Sequence, residues 1–522
     1  MKTQQHLHSR REFLCDVGKG MVSATIGAGL AGELGLAPVY AGEAVEARLE
    51  FGALEPLVRL MQDTPVAKLL PELVAKLRAG TELRELVAAG ALANARTFGG
   101  EDYVGFHTMM ALAPGFHMAQ GMPAEQQPLP VLKVLYRNTN RIQESGGRSR
   151  EVLRPIQPLA DARPAGMEAG AWLRAAVRGK NVARAEQILA AAATTPEDAL
   201  DAVLHEMHDD TEVHRVVLPY RAWDLLGVIG REQATTLLRQ SVRYCAKAEK
   251  WAEGRPCREI LPRMLEEHRL LDRELGQRAA EDQWVEELSK NIFRSSPEQA
   301  AAAAAAALAE GMLPDAIGEA ISLAANQLIL RDQGRTPKDE SSGKPPGSVH
   351  GDSIGVHACD SAGAWRNLAR VARPRNTFAC LILGAYQVAL DRVNRGGDFL
   401  NWEPLPLQRH ITEAKSMEAA VLCRELDDAV RGNLQGRASA LVHQYGVLGH
   451  DPNRVFDLLR GFAISEDGAL HAEKFYQTVR EEFATTRRAF QWRHLCALAR
   501  VTASEYGRPA AGVAEAKELL KG

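Results

Sequence analysis

Histidines and carboxylates gather at three places in this chain, and each gathering has a chemistry open to it. The densest is Leu204-His205-Glu206-Met207-His208-Asp209-Asp210-Thr211-Glu212-Val213-His214-Arg215. On a helix, residues three and four apart share a face, so His205, His208, Asp209 and Glu212 would form one stripe. Two neutral imidazoles and a carboxylate at that spacing suit a divalent transition metal such as iron, manganese or zinc. The expected metal ligands are therefore His205, His208 and Glu212, with His208 as acid or base if no metal binds. His214 falls about half a turn out of phase with His205 on an unbroken helix and drops out of the stripe. The competing reading is a polar face between helices with no ligand at all.

The second group is Asp102-Tyr103-Val104-Gly105-Phe106-His107-Thr108-Met109-Met110, followed by Pro114-Gly115-Phe116-His117-Met118. Gly99-Gly100 and Pro114 should bracket a short helix, which would put His107 and His117 on different segments. Met and Phe around a histidine can simply be core, or can shape a pocket for an apolar guest. His107, beside breaker residues and near Asp102, is the better candidate. The third group is His350-Gly351-Asp352-Ser353-Ile354-Gly355-Val356-His357-Ala358-Cys359-Asp360, running on to Ala364-Trp365-Arg366. Its small residues allow close approach, His357 would face a pocket, and Trp365 and Arg366 could hold an aromatic or anionic substrate. The catalytic candidates are thus His107, His208 and His357. His471 and His494 sit on apolar-periodic stretches and read as core.

The elements that carry these groups are helical. Apolar residues recur at three- and four-residue spacing, as in Leu54, Leu57, Leu60 and Met61, and period-two β-branched runs are almost absent. Thr195-Pro196-Glu197-Asp198 and Ser296-Pro297-Glu298-Gln299 each set a capping residue before a proline and acids. The second precedes an alanine run, Ala300 to Ala307, that favours helix strongly. The expected fold is all-α, a multi-helix array of antiparallel hairpins in two coupled halves. The breaker-rich segment 332–349 divides an N-terminal helical part, 42–331, from a C-terminal part, 350–522. A shorter break spans Gln157 to Gly166.

Composition limits the partners. With 63 basic against 66 acidic residues, there is no footprint for nucleic acid or an anionic membrane. No segment after the N-terminal region has the run of about 20 apolar residues that a span requires. Six cysteines follow Ala41 without a Cys-x-x-Cys pair, so buried thiols, with one bridge at most, are expected.

Ser9-Arg10-Arg11-Glu12-Phe13-Leu14 resembles the twin-arginine export signal, and it is followed by a weakly apolar run and Val39-Tyr40-Ala41 as a peptidase site. Glu33 in that run and Cys15 depart from the pattern. The resemblance implies residues 1–41 as a leader, the twin-arginine machinery as partner, export in the folded state, and a periplasmic or extracytoplasmic address.

Three short patches in order are similar to the questin-oxidase-like helical proteins: His107-Thr108-Met109-Met110-Ala111-Leu112, a His-bearing helix before Tyr220-Arg221-Ala222-Trp223, and His357-Ala358 leading to Ala364-Trp365-Arg366. They cover about a tenth of the chain. That resemblance implies a helical oxygenase of aromatic polyketides, although a leader is not expected in that family. The His208-Asp209 dyad also resembles HD-type metal hydrolases. The leading expectation is an exported oxidoreductase with a histidine-lined pocket for a small-molecule substrate. The alternatives are a non-catalytic scaffold exported with a partner subunit, and a metal-dependent hydrolase.

Overall fold

The capping devices written into the sequence start the helices they should. In the computed structural model, which describes residues 47–521, Thr195 accepts a hydrogen bond from the Asp198 amide at the head of one helix. Ser296 and Gln299 form a reciprocal capping box at the head of the alanine-rich one. Among the described residues there are twenty-three α-helices and no strand, so the fold is all-α. None of these helices is long and apolar enough to cross a membrane.

The elements that matter for the site are α1 (Leu83–Phe98), α2 (Tyr103–Gln120), α3 (Pro128–Glu144), α4 (Ala169–Arg178), α5 (Pro196–Met207), α6 (Val213–Ile229), α7 (Ala234–Ala252), α8 (Pro297–Ala309), α9 (Pro314–Arg331), α10 (Ile354–Val371), α11 (Pro374–Arg395), α12 (His471–Thr485) and α13 (Gln491–Glu505). Helices from the two sides of the 332–349 loop pack directly on one another: α8 lies on α11, and α9 on α10. From Leu49 onward the chain is one compact unit. The loop is polar and largely exposed, and it is pinned at its start, where Arg395 donates to the Asp332 carboxylate at 2.7 and 3.0 Å.

Two of these helices hold a proline in their interior, one of them the expected helix end Pro114. Pro114 sits within α2, so His107 and His117 share one helix, and Pro219 sits within α6. An interior proline costs about 3 kcal/mol. Met109, Met110, Leu112, Ala113 and Met118 around Pro114 are all buried, and burial stabilises by roughly 1.5–3 kcal/mol per large apolar side chain, which outweighs that cost. All six described cysteines are free thiols, so the allowance for a bridge is not needed.

The central arrangement is a ring of four helices. α2 packs on α6, α6 on α10, α10 on α12, and α12 back on α2. Buried polar ties hold the ring in register. Tyr220 and Arg221 of α6 donate to Glu481 of α12 at 2.8 and 3.0 Å. Arg221 also reaches Thr478, which donates to Asp360 of α10 at 2.8 Å.

Candidate functional site

Each helix of the ring contributes one histidine from its first two turns: His107, His214, His357 and His471. Side chains on a helix lean toward its N-terminus, so the four imidazoles meet where four helix starts converge. The Nε2 atoms of His107 and His214 are 3.3 Å apart, and those of His357 and His471 are 3.1 Å apart. Across the pairs, ring centroids lie 5.1 Å apart for His107 and His471 and 6.0 Å apart for His214 and His357. All four residues are buried, with 3–9% of their surface exposed.

The backbone around each ring explains its position. At α2, Asp102 caps the Gly105 amide at 2.7 Å and is clamped by Arg141 of α3 at 2.6 and 2.9 Å. Inside that turn, Nδ1 of His107 donates to the Tyr103 carbonyl at 2.7 Å. At α6, Glu212 caps the helix and accepts from both the His214 amide, at 2.9 Å, and His214 Nδ1, at 2.6 Å. Tyr244 of α7 donates to the same carboxylate at 2.7 Å. At α10, Ser353 caps the turn that carries His357.

His471 is reached by an unusual route. Ala469 and Leu470 both take left-handed backbone angles, φ 48° and 64°, directly before it. For residues with a side chain this conformation costs about 1–2 kcal/mol each. The outcome is that His471 Nδ1 donates to the Ala469 carbonyl at 3.2 Å and its Nε2 turns to His357. Gly351 lies against the Cβ and ring of His471, where any Cβ would collide.

These contacts fix protonation. A carbonyl oxygen only accepts, so Nδ1 of His107 and of His471 carries the proton and Nε2 carries a lone pair; the Glu212 carboxylate does the same for His214. The 3.3 Å between His107 and His214 therefore separates two lone pairs. Burial holds His107 and His471 well below the usual imidazole range, and the nearby Lys474 ammonium adds to it, so a proton is a poor bridge there. Imidazole nitrogens at about 2.0–2.1 Å from a metal lie roughly 3.0–3.4 Å from each other, which matches both pairs. Donation of Nδ1 to a carbonyl or carboxylate is the outer-sphere pattern that orients histidine ligands. As the rings stand, no three His, Cys, Asp or Glu side chains among the described residues hold a common point. The cluster is two facing pairs.

The surroundings are aromatic and positive. Phe106 stacks on His107 with centroids 5.0 Å apart, and Tyr103 is 4.4 Å from the same ring. Lys474, one turn beyond His471 on α12, is 3% exposed, and burial pushes its ammonium down to about 8. Among the described residues no hydrogen bond or ion pair ties it down. Asp360 is also buried, which raises its carboxyl.

Of the residues singled out by spacing, His107 and His357 meet in this cluster, and His208 does not. α5 ends at Met207, so the expected His205–Glu212 stripe is broken: His208 closes one helix and Glu212 opens the next. Glu212 serves His214 instead. His208 is fully buried, stacks on Trp365 at 6.3 Å, and neither ring nitrogen has a partner. His205 lines a separate cleft of about 930 Å³, with Glu168, Trp172 and Arg375, and none of the four clustered histidines borders it. Asp209 is held by Arg178 at 2.7 Å and by Arg174, so the His208-Asp209 dyad is not free to bind metal.

Arg366 and Trp365 belong to the fold rather than to a substrate clamp. Arg366 is 1% exposed and donates to Glu482 at 2.6 Å, to Asp315 and to the Thr485 carbonyl. Trp365 donates to Gln387 at 2.7 Å. His117 pairs with Asp224 at 2.9 Å, and that carboxylate raises its imidazole against the opposing effect of burial.

His214 and His471 escaped the reading of the sequence. His214 was out of phase only if one helix ran through Asp209-Asp210-Thr211, which are poor helix residues and mark the break. His471 follows Glu466-Asp467-Gly468, a turn signal that made it a helix-start residue. Comparison with protein-family models, curated proteins and solved structures finds no match to this chain.

Proposed function

We propose that this chain is an exported, metal-dependent oxidoreductase that holds a divalent first-row transition ion among His107, His214, His357 and His471. The observation that carries the reading is the pair of facing lone pairs on His107 and His214, 3.3 Å apart in a buried site with both Nδ1 atoms engaged. Four imidazoles suit iron, copper, nickel or zinc. A neutral ligand set leaves the ion its full charge and favours the lower oxidation state. When bound, the ion would supply electron-transfer or oxygen chemistry. The protein's part is to orient the rings through Glu212 and the Tyr103 and Ala469 carbonyls, and to exclude water with Tyr103 and Phe106.

Two sequence resemblances add support. Two of the three questin-oxidase-like patches contain His107 and His357, which fits an oxygenase class. Ser9-Arg10-Arg11 fits a route that carries folded proteins, so the ion could be loaded before export; those residues lie outside the described ones. Elemental analysis of the full chain purified without chelators tests the assignment. About one redox-active ion per chain, lost in His107→Ala and His214→Ala, is the expected result; a folded, metal-free wild-type protein that takes up no added ion would overturn it.

The closure of the site favours a second reading, an accessory subunit in which the ion is structural. It predicts an ion that resists reduction and exchange, whereas the oxidoreductase reading predicts one reduced and reoxidised by small reagents.

A further inference from the structure

Lys474 has no evident structural employment. It is 3% exposed, and among the described residues it makes no hydrogen bond or ion pair, although burying an ammonium without a partner is costly. Its neighbour Glu473 pairs with Lys133 at 2.6 Å, and Asp360 accepts from Thr478 at 2.8 Å, so both nearby carboxylates are engaged elsewhere. Lys474 follows His471 by three residues and lies on the same face of α12. Its charge acts on both His471 and His107, lowering both imidazoles.

The helix starts point the same way. α2, α6, α10 and α12 all present their N-terminal turns to the site, and each brings about half a positive charge. A cation held by four neutral imidazoles adds two more. The Asp102 and Glu212 carboxylates at two of the helix starts, and Asp360 and Glu473 near Lys474, offset part of this charge, but none of them forms an ion pair with Lys474, which leaves its ammonium for a negative group from outside the chain.

We propose that the four-histidine site binds its small-molecule substrate through an anionic oxygen, a phenolate, enolate or carboxylate, that contacts the ion and is paired by Lys474. This rests on the metal assignment above and adds to it the charge class of the substrate and the residue that selects it. Lys474 is a positioning and specificity residue here: it needs no covalent step, and it favours the deprotonated form of a weakly acidic hydroxyl.

The test uses the full chain loaded with Cu(II), with azide as the anion probe and 4-nitrocatechol and benzoate as the phenolate and carboxylate arms, followed by absorption. Azide should give a saturable new band in the wild type. Lys474→Met should weaken its binding on the order of tenfold, the value of a lost charge-assisted hydrogen bond, while metal content stays unchanged. Lys474→Arg should keep most of the affinity, and the neutral ligand imidazole should bind all three proteins alike. The stronger of the two organic arms names the substrate class. Equal azide affinity in wild type and Lys474→Met would overturn the proposal with the metal site intact, as would loss of metal in both variants, which would make Lys474 structural. Wild-type protein that takes up no copper would instead bring down the metal assignment itself, and this inference with it.

Discussion

Glu212 and His214 are two residues apart in sequence and bound twice in space: the carboxylate takes the His214 amide and its Nδ1–H at 2.9 and 2.6 Å. One side chain thus starts α6 and aims the ring that α6 brings to the cluster. Glu212→Gln should keep the cap but weaken the orientation of the His214 ring. Metal affinity should fall roughly 10–100-fold with little change in melting temperature, as read by competition with a chelator and by calorimetry. An unchanged affinity would remove Glu212 from the site.

The approach of His471 is set by Gly351 and by two left-handed residues. Gly351→Ala places a Cβ against His471 and the Glu505 carboxylate, and overpacking of this kind destabilises by about 1–3 kcal/mol. The variant should melt earlier and bind metal more weakly. Ala469→Gly relieves φ 48° and should stabilise the fold by up to about 1 kcal/mol, while the freed backbone loosens metal binding. Denaturant unfolding with and without metal separates the two effects.

His208 offers a test by pH. Burial holds its imidazole well below the ordinary 6.5, so below that pH the unfolded chain takes up a proton that the folded chain refuses. Stability attributable to this residue is therefore intact above pH 6.5 and falls as pH drops, by about 2 kcal/mol between pH 6.5 and 5. His208→Leu removes the penalty along with two unpartnered nitrogens. It should be neutral or stabilising at pH 7 and lose less stability on acidification than the wild type, measured by urea unfolding at the two pH values.

The all-α character was legible because caps, alanine runs and three-four apolar spacing are local signals, and Thr195 and Ser296 act where they stand. Half of the site was legible too, since His107 and His357 lie among breakers and small residues that mark a helix start. The rest depended on where helices end. Reading Asp209-Asp210-Thr211 as helix gathered His205, His208 and Glu212 on one stripe and excluded His214, whereas the break assigns Glu212 to His214. His471 depends on a strained turn that no periodicity reveals. The convergence of four residues, each 107 to 143 positions from the next along the chain, is a property of helix packing, which no local spacing encodes.

Asp209 separates the redox reading from the hydrolase one. It is buried between Arg174 and Arg178, and unpairing such a charge costs about 3–5 kcal/mol. Asp209→Asn should therefore lower the melting temperature by several degrees and leave metal content unchanged. Loss of metal with stability retained would restore the dyad as a metal site.

X-ray absorption at the metal edge, on full-length protein purified without chelators, bears most directly on the four-histidine centre. A four-histidine centre should give a first shell of nitrogen at about 2.0–2.1 Å with the outer-ring scattering of several imidazoles, reduced in His214→Ala and His471→Ala. A shell made of sulfur or carboxylate oxygen, or a spectrum unmoved by both substitutions, would contradict it.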